Sequence, residues 1–250
     1  MTIDRPQESH LQGLQALWKE AFGDSDAFVN GFFSTGFAPQ RCRVLDWNGQ
    51  CAAALYWFDC RWEGKKIAYL YAVATQKRFQ GQGFCRRLME DTHAHLQALG
   101  YCGAALVPGS RALFSLYEKL GYTAFCPMEH QQITAAEAPI PLKAVSPAQY
   151  SLFRKALLPA GGIEQTGMEY LATFTRLYSG DGCLFSVAQE GNTAVFQEFL
   201  GDPHVLPRIL RTLGAEQGKV WLPGGTNPFA MYRSFEESDL IPTYLGLSFS

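Results

Sequence analysis

Ala72-Val-Ala-Thr-Gln-Lys-Arg-Phe-Gln-Gly-Gln-Gly-Phe84 is the stretch whose reading decides the fold. A strand is expected to end near Thr75, with Gly81 and Gly83 bracketing a turn. A helix is predicted from Phe84 to Leu99, because Cys85, Leu88, Met89, Thr92, Leu96 and Leu99 recur at helical spacing. Gly100 supplies the left-handed cap. The first amides of such a helix find no partner inside it and lie at the positive end of its dipole, so strand, turn and helix together make an anion site. Glycine in the turn removes the Cβ from the path of a phosphate.

The spacing Arg78-x-x-Gly81-x-Gly83 is not a P-loop, which needs Gly-Lys-Ser/Thr after its glycines. It is not a dinucleotide fingerprint either, because Gly-x-Gly-x-x-Gly does not occur. Val-Ala-Thr followed by Arg-x-x-Gly-x-Gly resembles the acetyl-CoA pyrophosphate loop of the GNAT superfamily of N-acetyltransferases. Ser115-Leu-Tyr-Glu-Lys-Leu-Gly-Tyr122 resembles that family's second signature, in the family's usual order and separation.

The resemblance implies a GNAT fold, a mixed α/β (α+β) sheet, with acetyl-CoA as co-substrate. It assigns the backbone of Val73, Ala74 and Thr75 to the pantetheine arm. The amides of Phe79, Gln80, Gly81, Gln82, Gly83 and Phe84 fall to the pyrophosphate, with Arg78 adding charge. Tyr117 matches the tyrosine that protonates the departing thiolate. A phenol with pKa about 10 suits that task. Tyr117 also lies on an apolar stripe with Leu113 and Leu120, so a core tyrosine explains the same residue.

The base is not identified. Many GNAT proteins carry a glutamate on the strand before the loop, but Lys66-Ile-Ala-Tyr-Leu-Tyr-Ala-Val73 has no carboxylate. Tyr69, Tyr71, Asp59, a water chain or the Ser250 carboxylate are the alternatives. Cys60 has no activating neighbour in sequence, which disfavours an acyl-cysteine route.

The 250 residues are 47% hydrophobic and 18% charged, as expected of a globular protein with a core. The formal charge of −2 and the lack of a basic run point away from nucleic acid. No membrane span or signal peptide is legible, so a cytoplasmic location is expected. The 7 cysteines contain no Cys-x-x-Cys and read as reduced thiols, with no metal site expected. His93 and His95 are read as solvated helix residues that cannot pair across one face.

Taken in order, Ser9 is expected to cap a helix carrying Leu11, Leu14, Leu17, Trp18 and Phe22, and Asp24-Ser-Asp starts a second with Phe28, Phe32 and Phe33. These aromatic helices resemble the substrate-side wall of GNAT proteins, and core packing also explains them. Strands are predicted over Arg41–Trp47, Cys51–Arg61 and Lys66–Thr75, joined at Asn48-Gly49 and Glu63-Gly64, with Ile67, Tyr69, Tyr71 and Val73 on one face. After the loop and helix come a parallel strand Tyr101–Val107 and a short helix from Ser110. Tyr122–Phe125 and Glu129–Thr134 are expected to pair across Cys126-Pro127-Met128.

Ala135–Pro141 reads as a linker. Beyond it come helices Pro147–Leu158 and Met168–Tyr178, strands Cys183–Gln189 and Ala194–Leu200, and helix Pro203–Leu213. Strand Lys219–Leu222, a loop at Pro223–Thr226, helix Pro228–Phe235 and strand Tyr244–Phe249 follow. The order repeats the first half, so the expectation is a catalytic GNAT domain over 1–136 and a degenerate GNAT-like domain over 137–250. Gly201-Asp202-Pro203 replaces the glycine loop there, with a carboxylate where a phosphate would sit, so no CoA is expected in the second copy.

The expected activity is transfer of an acetyl group from acetyl-CoA to a primary amine, on a small molecule or a peptide, by direct attack, in a monomer or homodimer. The alternatives are a tandem aminoacyl transferase of the peptidoglycan type and a non-catalytic acyl-CoA-binding protein.

Overall fold

Two tight turns build the first sheet. Asn48 and Gly49 take φ of 53° and 80°, and Glu63 and Gly64 take 49° and 74°. The first pair is the type I′ geometry whose twist matches that of adjoining strands. They fold β2 (Cys42–Trp47), β3 (Gln50–Trp62) and β4 (Lys65–Thr75) into a meander, with β1 (Thr2–Asp4) antiparallel on β2. The structure, a computed structural model, describes residues 1–167 and 171–248, with the backbone alone of Leu171 and Thr173. It divides into two units, Met1–Thr123 with Met231–Leu240, and Ala124–Ala230 with Ile241–Ser250. The division thus falls ahead of the 135–141 linker, and a C-terminal segment rejoins the first unit.

In the first unit, α1 (Leu11–Phe22) and α2 (Asp26–Thr35) precede the meander, while α3 (Phe84–Ala98), β5 (Gly103–Leu106) and α4 (Arg111–Glu118) follow it. The crossover through α3 makes β5 parallel to β4, from Ile67↔Gly103 to Tyr69↔Ala105. The other side of β5 takes Met231–Ser234 as an antiparallel neighbour. One face of the sheet presents Leu55, Trp57, Ala68 and Leu70 to Leu88, Met89 and Leu96 of α3 and Tyr117 of α4. The other presents Tyr56, Phe58 and Tyr71 to Trp18 and Phe32, with ring centroids 4.5 to 6.4 Å apart.

Ser9 does not cap α1, because a 3₁₀ turn at Glu8–His10 precedes that helix and Gln7 caps the turn. Ser25 does cap α2, accepting from the Phe28 amide at 3.2 Å. His93 is not solvated. It is 3% exposed, and its Nε2 sits 2.7 Å from the Tyr122 hydroxyl. Val73 packs on the α3 face, away from Tyr69 and Tyr71, because a bulge intervenes.

The chain continues through β6 (Thr123–Thr134), β7 (Lys143–Ala144), α5 (Pro147–Leu157), β8 (Glu164–Gln165) and α6 (Leu171–Phe174). It ends with β9 (Arg176–Gly180), β10 (Cys183–Glu190), β11 (Thr193–Leu200), α7 (Leu206–Leu213) and β12 (Gln217–Ser234). β6 is one strand, not two, because the turn expected at Cys126 is only a local kink with φ of 55°. The helix expected over Met168–Tyr178 is described only at Leu171–Phe174. Met168 to Tyr170 lie outside the described residues, and Arg176–Gly180 pairs with β10, where sheet pairing outweighs helix propensity. Pro223–Thr226 and Pro228–Ser234 belong to the long β12, whose last part is fixed by pairing with β5. The strand expected over Tyr244–Phe249 reduces to a single bridge between Gly162 and Tyr244, with Phe249 outside the described residues.

The second unit's core sets Phe185, Val187 and Phe196 against Leu206, Ile209 and Leu210 of α7. β9, β10 and β11 form an antiparallel meander, and β11 is parallel to β12 from Thr193↔Gln217 to Phe196↔Val220. That is the order of β2 to β5 around α3, repeated around α7.

Candidate functional site

Two residues of β4 oppose one of β3. Ala54 pairs with Ala74 and Tyr56 with Tyr71, so Ala72 and Val73 both face Leu55. Ala72 takes φ of 49°, an unusual conformation for a residue with a side chain. The bulge bends β4 just where β5 stops. The last parallel pair is Tyr69↔Ala105, β5 ends at Leu106, and β4 runs on to Thr75. Among the described residues, no strand lies on that side of β4 from Leu70 to Thr75. Backbone groups there are open to an extended ligand, as an edge strand's are. The Thr75 Oγ1 is buried without a partner.

Side chains shape the turn that follows. Glu20 accepts from the Lys77 amide at 3.0 Å, Gln80 Nε2 donates to the Thr75 carbonyl at 3.2 Å, and Gln82 Nε2 donates to the Arg78 carbonyl at 2.8 Å. The Phe79 and Phe84 rings stack at 5.4 Å. Gly81 and Gly83 take φ of 75° and 78°, and a Cβ built on either meets nothing within 4 Å. Glycine is therefore needed here for backbone conformation, and the space beside the turn is open. Gly83 caps α3, whose first internal bond runs from the Arg87 amide to the Gly83 carbonyl at 3.1 Å. The amides of Gly81, Gln82 and Gly83 donate to no protein group among the described residues.

Arg78 is exposed on this turn. Its guanidinium lies 4.8 Å from the Phe79 ring centroid and donates to Gln50 Oε1 at 2.7 Å and Gln76 Oε1 at 2.9 Å. Its partners are neutral, so its charge remains available to an anion. At the equivalent place in the second unit, Gly201-Asp202-Pro203 forms a different turn. Asp202 accepts the His204 amide at 3.0 Å, and a Cβ on Gly201 would lie 2.6 Å from the Gly182 carbonyl.

Tyr117 lies on α4, 6% exposed among Leu88, Met89, Leu120 and Tyr122. Burial, then the neighbouring Cys85 on the first turn of α3, pushes its phenol above the ordinary range. Thus Tyr117 is packed and also stands beside the helix start that carries the turn. Tyr69 and Tyr71 are likewise raised, chiefly by burial, and stay protonated at neutral pH. Asp59 is engaged by the Tyr101 hydroxyl and by Arg41 Nη1 at 3.7 Å. Ser250 lies outside the described residues. Asp24, which the sequence placed only at the start of a helix, accepts from Trp18 Nε1 at 2.8 Å, and its charge adds to the raised pKa of Tyr71.

This geometry, a bulged strand leaving its parallel neighbour beside an uncommitted helix start, coincides with a family match. The model for the acetyltransferase (GNAT) domain matches residues 2–125. Residues 2–125 belong to the GNAT family.

Solved structures extend the likeness of fold beyond the GNAT match. A GCN5-related N-acetyltransferase from Kribbella flavida superposes with a TM-score of 0.70 at 14% identity, covering 93% of this chain and 70% of that one. Eis1 from Mycobacterium abscessus gives 0.66 at 10%, covering 94% and 74%. A putative acetyltransferase from Pyrococcus horikoshii gives 0.64 at 14%, covering 98% and 93%. No curated protein matches in sequence. Among the described residues no helix is long and apolar enough to cross a membrane, and no three His, Cys, Asp or Glu gather as metal ligands.

Proposed function

We propose that the chain is an acetyl-CoA-dependent N-acetyltransferase that moves an acetyl group to a primary amine of a small molecule or peptide in the cytoplasm. The observation that carries this reading is the Gly81–Gly83 turn, with uncommitted amides at the start of α3 beside the open end of β4. The residues fit the co-substrate. Val73, Ala74 and Thr75 offer backbone groups to an extended pantetheine arm, with the unpartnered Thr75 hydroxyl among them. The amides of Gly81 to Phe84 and the Arg78 guanidinium suit a pyrophosphate, whereas those of Phe79 and Gln80, expected to join them, already donate to the Gln76 and Lys77 carbonyls at 2.8 and 3.3 Å.

Acyl transfer needs a polarised carbonyl, a neutral amine and a proton for the departing thiolate. Tyr117 is assigned the last task. Its raised pKa keeps the hydroxyl protonated until charge develops on sulfur. In this reading residues 1–136 form the catalytic domain and 137–250 a degenerate copy. The repeated order around α7 and a matching bulge support the copy. Ser186↔Glu198 and Val187↔Phe196 leave Gln197 as the extra residue of β11.

Calorimetric titration with CoA and acetyl-CoA, followed by turnover on a panel of primary amines, tests the reading. Binding and turnover are expected. Binding without turnover on any amine would leave an acyl-CoA-binding protein, and no binding would end the assignment.

A further inference from the structure

We infer that Arg233 is a positioning residue for Tyr117, which makes the C-terminal segment Met231–Leu240 part of the machinery of the first unit. The inference rests on the acetyltransferase reading above.

Arg233 arrives by strand pairing. It stands opposite Ala104 in the register that joins Met231–Ser234 to β5. From there the half-buried guanidinium reaches over the end of α4. Its Nη1 donates to the Leu120 carbonyl at 2.6 Å and to His93 Nδ1 at 3.0 Å. An arginine has no lone pair to offer, so His93 Nδ1 is the acceptor and the ring proton sits on Nε2. That proton is donated to the Tyr122 hydroxyl at 2.7 Å. The Phe235 ring, 5.5 Å from His93, closes the other side.

Both ends of this chain of bonds terminate on the turn that holds Tyr117. The Tyr117 carbonyl accepts from the Leu120 amide at 2.9 Å and the Tyr122 amide at 3.1 Å. The Tyr122 ring packs edge-on against Tyr117 at 5.8 Å. Arg233 therefore pins Leu120 directly and Tyr122 through His93, so the last turn of α4 is held at two points. A general acid displaced by about 1 Å loses on the order of 10²-fold in rate. The sequence match of the family ends at residue 125, more than 100 residues before this arginine.

The test compares Arg233→Met, with Arg233→Lys as the milder second variant should the first fail to fold, in the full-length chain. Each is made in the wild-type and Tyr117→Phe backgrounds. Turnover of acetyl-CoA with an accepted amine, CoA affinity and melting temperature are measured on every preparation. The Arg233 variants are expected to lose roughly 10-fold or more in kcat beside Tyr117, with CoA affinity within about 2-fold, and to lose under about 2-fold further when Tyr117 is already Phe. In parallel, ¹⁵N spectra of the His93 ring are expected to show the Nε2–H tautomer in the wild type and a mixture in Arg233→Met. An equal fractional loss in both backgrounds, or full kcat in Arg233→Met, overturns the inference. A wild-type chain that binds CoA and acetylates nothing overturns the underlying reading instead.

Discussion

Tyr69 of β4 and Ala105 of β5 form the last parallel pair between their strands. Three residues beyond Tyr69 the bulge at Ala72 begins, and the turn at Gly81 to Gly83 starts six residues after Thr75. The two strands part at the point where the helix amides become available.

The Gly81–Gly83 turn leaves its amides uncommitted and the Gly201-Asp202 turn at the equivalent place in the second unit does not, so one CoA is expected per chain, held by residues 73 to 84. Asp202 already occupies the corresponding amide in the second unit at 3.0 Å. Titration calorimetry reads the stoichiometry. Two equivalent sites would contradict the contrast between the units.

Gly83→Val puts a branched side chain at φ of 78°, where only a glycine is unstrained. The strain is worth roughly 1–2 kcal/mol of stability, little enough for the chain to remain folded. CoA affinity should fall by about 2 kcal/mol or more, from the side chain in the open space and from lost amide contacts. Gly83→Ala separates the two effects: it shares the φ strain with a smaller obstruction. Unchanged affinity in folded Gly83→Val would remove the anion site.

Tyr117→Phe keeps the ring among Leu88, Met89 and Leu120, so melting temperature and CoA binding should change little. Turnover should drop roughly 10²-fold or more, the usual range for a lost general acid. Acyl donors whose leaving thiol has a lower pKa should be less affected. Melting temperature and kcat on one preparation decide the matter, since a core role alone would lower the first and spare the second.

His93 titrates far below its usual range, near pH 3, first because it is buried and then because Arg233 faces it. In the unfolded chain the same ring takes a proton near pH 6.5. Protons therefore bind the unfolded state more readily between those values, and stability falls as pH drops from about 6.5 towards 3. The contribution is on the order of 5 kcal/mol at its full extent. His93→Gln, which retains a donor for the Tyr122 hydroxyl, should flatten the decline between pH 6.5 and 5, where few carboxylates titrate. Melting curves across that window provide the check.

In the second unit, Arg154 donates to Glu198 at 2.8 Å while both are buried, and the Tyr150 and Tyr244 hydroxyls donate to the same carboxylate at 3.0 and 3.1 Å. Glu198→Ala leaves the guanidinium without its counter-charge, with an expected loss of about 3–5 kcal/mol. The pair Arg154→Met with Glu198→Leu should recover most of that in denaturant unfolding. A double variant as unstable as the single would show that the ion pair itself is what stabilises the unit.

The local plan was legible in the chain. Asn48-Gly49, Glu63-Gly64 and Gly81-x-Gly83 each need positive φ, a constraint written in residue type alone, and apolar spacing marked α3 and β2 to β4. Tertiary structure decided the rest. Alternation along β4 predicted Val73 on the face of Tyr71, but one extra residue at the bulge reversed it, and a bulge exists only relative to its partner strand. Met231–Ser234 read as a helix because its neighbour β5 lies more than 120 residues away in sequence. That same distance hid Arg233 and turned His93, polar and apparently solvated, into a buried acceptor. Local pattern records which residues are apolar or permissive, whereas a buried polar group is explained only by the partner that the fold brings to it.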